Sequence, residues 1–235
     1  MKDELKGKVI VVTGAFGNLG MVTAITLTKY GATVALVDSN QAPAGQIPGA
    51  LSDALVLGEV DLSSYDLAHS AMSTVSARYG EIYGVVNVAG AFRWSTVEGD
   101  EVDAWDNLFN ANLKTALMTS KAVLPYLRDR DGGRIVNIGA AAAAKGVVGM
   151  GPYAASKSAV ARLTEALADE LKDRSITVNA ILPSVIDTPI NREIMPDADF
   201  QRWVTPDAVA EVIAFLMSRR SAAITGALIP VSGRM

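Results

Sequence analysis

KVIVVTGAFGNLG (residues 8–20) changes character twice within a few residues. KVIVVT (8–13) is a β-branched run apolar on both faces, as a parallel strand covered by helices on each side must be. TGAFG then breaks the run with Gly14 and Gly17, and from Asn18 a helical pattern begins. A strand, a glycine turn and a helix in direct succession let the backbone approach a pyrophosphate at the positive N-terminus of the helix.

The same alternation continues outward. TVALVD (33–38), ALVLGEVD (54–61), YGVVNVAG (83–90), GRIVNIG (133–139), ITVNAIL (176–182) and GALIPVS (226–232) read as further strands. Helices are expected at about 18–30, 64–79, 101–129, 152–173 and 206–218. Right-handed βαβ crossovers then give an α/β fold, one doubly wound parallel sheet of about seven strands with helices on both faces. No linker, charge block or repeat divides the 235 residues, so a single domain over 1–235 is expected. In such sheets ligands bind beyond the carboxyl ends of the strands. Glycines and polar residues gather there: TGAFGNLG, Asp38, Asp61, NVAG (87–90) and PSVIDTP (183–189).

Composition removes several chemistries. With 50% hydrophobic and 20% charged residues the chain can bury a large core. There is no cysteine, which excludes disulfides and thiolate nucleophiles and suits a reducing cytosol. His69 is the single histidine and reads as a solvated helix residue, so no metal site is expected. The net charge of −4, without a Lys/Arg cluster, argues against nucleic acid as a partner. Neither a signal-peptide core nor an apolar run of about 18 residues is present, so a cytoplasmic protein without a membrane partner is expected. The letters KDEL at 2–5 are an address only at a C-terminus.

Two patterns carry chemistry. Asp38 ends the second strand, where a carboxylate can accept both hydroxyls of an adenosine ribose. It would repel a 2′-phosphate: like charges about 5 Å apart at an effective dielectric near 20 cost roughly 3 kcal/mol. Phe16 supplies no cation in the loop to offset this, so NAD(H) is the expected cofactor. In YAASK (153–157) a phenol and an ammonium stand four residues apart, on one helix face. An ammonium about 4 Å away is worth roughly 4 kcal/mol at that dielectric, about three pKa units. Lys157 is therefore expected to bring Tyr153 from near 10 toward neutrality, where it can exchange protons.

Taken together, TGAFGNLG, Asp38, NVAG and YAASK resemble the short-chain dehydrogenase/reductase family over essentially the whole chain. The resemblance implies a Rossmann-type fold and an NAD(P)-dependent oxidoreductase acting on a small-molecule substrate. It places Gly14, Phe16, Gly17, Asn18, Leu19 and Gly20 in the cofactor loop, with Asn18 where the family has its middle glycine; asparagine tolerates left-handed backbone best among the other residues. Asp61 and Leu62 would flank the adenine, with Asp61 also a candidate N-cap for the following helix. Asn87, Ala89 and Gly90 would line the ribose side. Pro183, Ile186 and Thr188 would bind the cofactor, with Thr188 fixing the nicotinamide carboxamide, although Pro183-Ser184 replaces the usual P-G. Tyr153 and Lys157 would be catalytic, and Asn112, in NANLK, would support the lysine through a water.

One member of the set is missing. Most of the family carries a serine 13 positions before the tyrosine to bond the substrate carbonyl; here that position is Ala140. Losing such a donor costs typically ~10²–10³ in rate. Either the chain is a non-catalytic dinucleotide-binding sensor or scaffold, or its substrate is activated enough to need only hydride and a proton, or a serine was replaced by design. LPSVIDTPINREIMPDADFQRW (182–203), GMGPYAASK (149–157) and Leu19-Gly20 resemble the quinonoid dihydropteridine reductases, a branch that also carries alanine there. That points to a small, flat, activated substrate such as a quinonoid dihydropterin. The alternative is an alcohol/ketone dehydrogenase in which Ser184 or water replaces the hydroxyl. Trp94 is a candidate stacking residue, and Met195 and Trp203 are candidates to close the pocket. Apolar Trp105, Leu108, Phe109, Leu113 and Leu117 at helical spacing leave room for a second buried face, so a homodimer or homotetramer is expected.

Overall fold

Alternate residues of each strand feed two separate cores. Ile10, Val12, Val34, Leu36, Val86 and Val136 pack into one, while Val9, Val11, Ala35, Val37, Val85 and Ile135 pack into the other. Period-2 alternation of residues that are all apolar thus covers both faces of the sheet, as parallel strands require. The computed structural model describes residues 3–43, 45, 47–99, 103–127 and 132–235. Its strands are β1 (Val9–Thr13), β2 (Thr33–Val37), β3 (Leu55–Leu57), β4 (Gly84–Asn87), β5 (Arg134–Ile138), β6 (Thr177–Pro183) and β7 (Leu228–Val231). All pair in parallel, in the order β3-β2-β1-β4-β5-β6-β7. The order reverses between β1 and β4, and the crevice beyond their carboxyl ends is where such sheets hold ligands.

Helices α1 (Asn18–Lys29) and α7 (Pro206–Met217) cover the first core with Leu19, Ala24, Leu27, Val209 and Ile213. On the opposite face α2 (Tyr65–Tyr79), α4 (Thr115–Val123) and α5 (Gly151–Leu171) contribute Ala68, Met72, Val123, Leu167 and Leu171. The helix expected over 101–129 is divided; its positions 101–102 and 128–129 lie outside the described residues. α3 (Asp103–Leu108) passes into a π-helical turn, Phe109–Lys114, before α4 begins. A tight turn at Leu124–Tyr126 then ends it, because Pro125 has no N–H to continue the ladder.

Strand ends are shorter than the apolar runs. β3 stops at Leu57 because a side chain at Gly58 would meet the Ala42 nitrogen at 2.8 Å and Glu59 turns left-handed at φ 59°. One further helix, α6 (Pro189–Ile194), has Thr188 as its N-cap and Pro189 in its first turn.

Candidate active site

The crevice at the carboxyl ends holds about 650 Å³. Gly14, Gly17, Leu19, Gly20, Asp38, Asp61, Leu62, Ala89, Gly90, Tyr153, Lys157 and Ile186, all expected from the sequence, line it. Gly14 makes the turn after β1 at φ +59°, with its α-carbon so close to Ala89 that an added Cβ would lie 2.8 Å from the Ala89 nitrogen. At Gly20 a Cβ would collide with the Gly14 carbonyl, so only glycine lets α1 begin this close to the turn. No side chain caps the start of α1: Gly17 occupies the N-cap in extended conformation, leaving the first-turn N–H groups to the crevice.

Asp38 is 4% exposed and anchors this end. Its Oδ2 accepts from the Phe16 N–H at 2.9 Å, and its Oδ1 accepts from the backbone and side-chain nitrogens of Asn40, each at 2.9 Å. One lone pair remains for a further donor. Ser39 and Asn40, not singled out in the sequence, also line the crevice. An uncapped helix N-terminus, a buried carboxylate and a glycine-lined wall fit a dinucleotide.

At the other end Tyr153 and Lys157 sit on one face of α5. The Lys157 ammonium donates to the Ile138 carbonyl at 2.8 Å, and burial pulls its pKa down to about 8. Burial raises Tyr153 instead, to about 12. The expected acidification of the phenol is therefore absent: the ammonium is committed to a β5 carbonyl, and desolvation of the phenolate dominates. Phe92, in the loop after β4, meets the Tyr153 ring edge-to-face at 5.0 Å and 83°. It lines the crevice and carried no sequence signal of its own.

Asn112 lies in the π-helical turn, which turns its amide inward. It is 1% exposed and binds both polar groups of the Ala91 backbone, accepting from N–H at 2.8 Å and donating to the carbonyl at 3.1 Å. Its Nδ2 also donates to Ser156 Oγ at 2.9 Å, and Ser156 donates to the Tyr153 carbonyl at 2.9 Å. Gly90 is required here, since a Cβ would stand 2.6 Å from Asn112 Oδ1 and 3.1 Å from Lys157 Nζ.

Several expected residues stand elsewhere or make other contacts than the sequence suggested. Asn87 is buried in a polar ladder, donating to Asn137 Oδ1 at 2.8 Å and Ser120 Oγ at 3.1 Å, because its strand position points it between sheet and helix. Asn18 opens α1 with no positive φ, and the left-handed demand falls on Gly14 alone in this loop. The Phe16 ring packs on the first core, leaving only its N–H to Asp38. Asp61 Oδ1 accepts from the Ser63 N–H at 2.9 Å, while Ser64 is the N-cap of α2. Pro183 is the last residue of β6 and Thr188 caps α6, both buried and outside the crevice lining. Ser184 Oγ donates to the Ser232 carbonyl at 2.9 Å, so it does not replace the missing hydroxyl. Ala140 is 6% exposed and also off the lining. Trp94 lies over Gly149, where a Cβ would collide with its indole, and Trp203 is buried against Phe200 with ring centroids 4.8 Å apart. Neither Trp203 nor Met195 reaches the crevice lining.

A doubly wound sheet with a glycine turn under an uncapped helix and a Tyr–Lys pair facing it defines a nicotinamide-dependent oxidoreductase of the α/β class. The family model described as short chain dehydrogenase matches residues 8–199. The chain belongs to that family. A 3-oxoacyl-[acyl-carrier-protein] reductase of Pseudomonas aeruginosa is 35% identical over 99% of this chain and 98% of its own. A 2-(S)-hydroxypropyl-CoM dehydrogenase of Xanthobacter autotrophicus is 30% identical over 100% and 99%. Among solved structures, NAD⁺-bound xylitol dehydrogenase superposes with TM-score 0.90 at 27% identity, covering 97% of this chain and 99% of that one. No described helix is long and apolar enough to cross a membrane.

Proposed function

We propose that the protein is an NADH-dependent reductase that delivers hydride and a proton to a small, flat, activated substrate, with a quinonoid dihydropterin as the candidate. The observation that carries this reading is geometric: Tyr153 and Lys157 line the crevice one helical turn apart on α5, in a chain whose position 140 is alanine. At neutral pH the Tyr153 phenol, raised to about 12, is loaded with its proton. Protonated, it can act only as a donor, and a weaker one than a free phenol, so the acceptor must itself be strongly activated. An acceptor already polarised by conjugation does not need the hydroxyl that Ala140 lacks, whereas a simple ketone would lose ~10²–10³ in rate.

NADH, when bound, supplies the hydride. Gly14, Gly17, Leu19 and Gly20 would hold its pyrophosphate against the α1 N-terminus. Asp38 accepts a ribose hydroxyl on its remaining lone pair and disfavours a 2′-phosphate by roughly 3 kcal/mol, which is the support for NAD(H) over NADP(H). Lys157 places a positive charge next to the Ile138 carbonyl at the floor of the site. Tyr153 gives its phenolic proton to the substrate atom that gains charge, and Asn112 holds the surrounding backbone through Ala91.

A carbonyl reductase is the second reading, supported by the printed names of the relatives. A homodimer or homotetramer is supported by Trp105, 38% exposed on α3, although Leu108 is already buried within the chain. The deciding assay is NADH oxidation with quinonoid dihydropterin, followed by a ketone and quinone panel. Tyr153→Phe abolishes reduction while NADH binding persists. Turnover that survives Tyr153→Phe would remove the phenol from the mechanism.

A further inference from the structure

The phenol of Tyr153 has no side-chain hydrogen bond among the described residues, and Ala140 supplies none. A half-buried tyrosine can turn about its χ1 and χ2 torsions unless packing stops it. Its aromatic neighbour is Phe92, whose ring stands 83° to its own at a centroid distance of 5.0 Å. Edge-to-face geometry of this kind is directional, because the positive edge of one ring meets the negative face of the other.

Phe92 is itself held in place. The residue before it, Ala91, has its N–H and carbonyl both bound by the Asn112 amide, at 2.8 and 3.1 Å. Asn112 reaches Ser156, and Ser156 reaches the Tyr153 carbonyl. A closed circuit results: Tyr153 backbone, Ser156, Asn112, Ala91, Phe92 and back to the Tyr153 ring. The backbone of the tyrosine and the ring that packs on it are referenced to one buried amide, 1% exposed. The loop is tied down further along, where the Ser95 N–H donates to the Gly149 carbonyl at 2.8 Å.

We propose that Phe92 is a positioning residue for Tyr153, orienting the phenol by ring contact where this chain has no hydroxyl at position 140 to orient it by hydrogen bond. Its role in turnover rests on the reductase reading above, but its role in covering the phenol does not. Phe92 is 49% exposed and lines the crevice, so the same ring offers an aromatic wall to a planar acceptor.

Phe92→Ala, Phe92→Leu and Phe92→Tyr separate these effects, with circular dichroism to check the fold. The readout independent of activity is nitration of Tyr153 by tetranitromethane at pH 8, followed by peptide mass spectrometry with exposed Tyr65 as the internal reference. Nitration relative to Tyr65 rises several-fold in the Ala and Leu variants and stays at the parental value in Phe92→Tyr. In the NADH assay with a quinone acceptor, kcat falls by about 10- to 100-fold in the Ala and Leu variants, the KM for NADH holds, and Phe92→Tyr restores kcat. An unchanged nitration ratio in Phe92→Ala overturns the proposal, as does a Leu variant that turns over like the parent. Absence of turnover in every protein, parent included, would defeat the reductase reading and leave nitration to decide the role of Phe92.

Discussion

Lys157 is a cation placed where the protein would rather have none. Its pKa in the folded chain, about 8 against 10.5 for the free side chain, means that the unfolded state binds more protons between those values. Stability therefore rises with pH through that window, and the full penalty, about 3 kcal/mol by linkage, is present below pH 8. Lys157→Met removes the penalty but strands the Ile138 carbonyl, which returns about 1–2 kcal/mol. The variant should melt about 2–4 °C above the parent at pH 7, lose that advantage near pH 10.5, and be inactive. A lower melting point would mean that the ammonium stabilises the fold. The same shift predicts an alkaline limb: kcat/KM should fall as pH rises through about 8, where the positive charge at the floor of the site is lost, while Tyr153 keeps its proton. Spacing on one helix face made the Tyr–Lys pair legible in the sequence. The direction of the Tyr153 shift was not, because burial depends on neighbours such as Phe92 that are remote in the chain.

Elements were legible where a period ran long and illegible where a side chain elsewhere set the ending. All seven strands appear from apolar runs, yet β3 is cut by the approach of Gly58 to the Ala42 backbone in the segment after β2. The π-helical turn in the helix that carries Asn112 has no composition cue; it is stabilised by the Ala91 backbone and Ser156, far away in sequence. The glycine turn into α1 is the opposite case, readable because backbone alone must fit. Gly20→Ala puts a methyl against the Gly14 carbonyl, so either α1 withdraws or the turn opens. Since Leu19, Ala24 and Leu27 keep α1 docked on the first core, the turn yields first. The expected result is an NADH Kd raised about tenfold or more, a loss of roughly 1.4 kcal/mol, with a folded protein by circular dichroism. Gly17→Ala, whose Cβ would sit at an ordinary 3.4 Å from the Gly14 carbonyl, should cost far less. Equal losses in the two variants would argue that the turn is not shaped by that contact.

At the scale of the whole chain, the end of the sequence is stitched to the segment that follows α6. Arg234 donates its N–H to the Arg202 carbonyl at 3.0 Å, and Arg202 returns Nε and Nη2 to the Arg234 carbonyl at 3.2 and 3.1 Å. Gly233 runs so close beneath that a Cβ would stand 2.9 Å from the Arg202 carbonyl. The neighbouring Val204 pairs with the segment after β6, donating to Val185 at 3.2 Å and accepting from Asp187 at 2.8 Å. Between those two residues is Ile186, which lines the crevice. A second brace holds the same segment: Arg192 grips Asp187 through a fork at 2.6 and 2.8 Å and lies 4.8 Å from the Phe200 ring centroid. The C-terminal tail is thus a distant support for one wall of the site. Removing Gly233–Met235 deletes four hydrogen bonds worth about 0.5–1.5 kcal/mol each at most, too little to unfold a chain with two full cores. The wall it supports should loosen, and an ordering cost of about 1 kcal/mol weakens ligand binding roughly fivefold. Fluorescence titration with NADH and the KM of the acceptor read that loss, while kcat at saturation stays near the parental value because Tyr153, Lys157 and Asn112 lie on other elements. If affinity and KM are both untouched by the truncation, Ile186 is held by the Arg192–Asp187 brace alone.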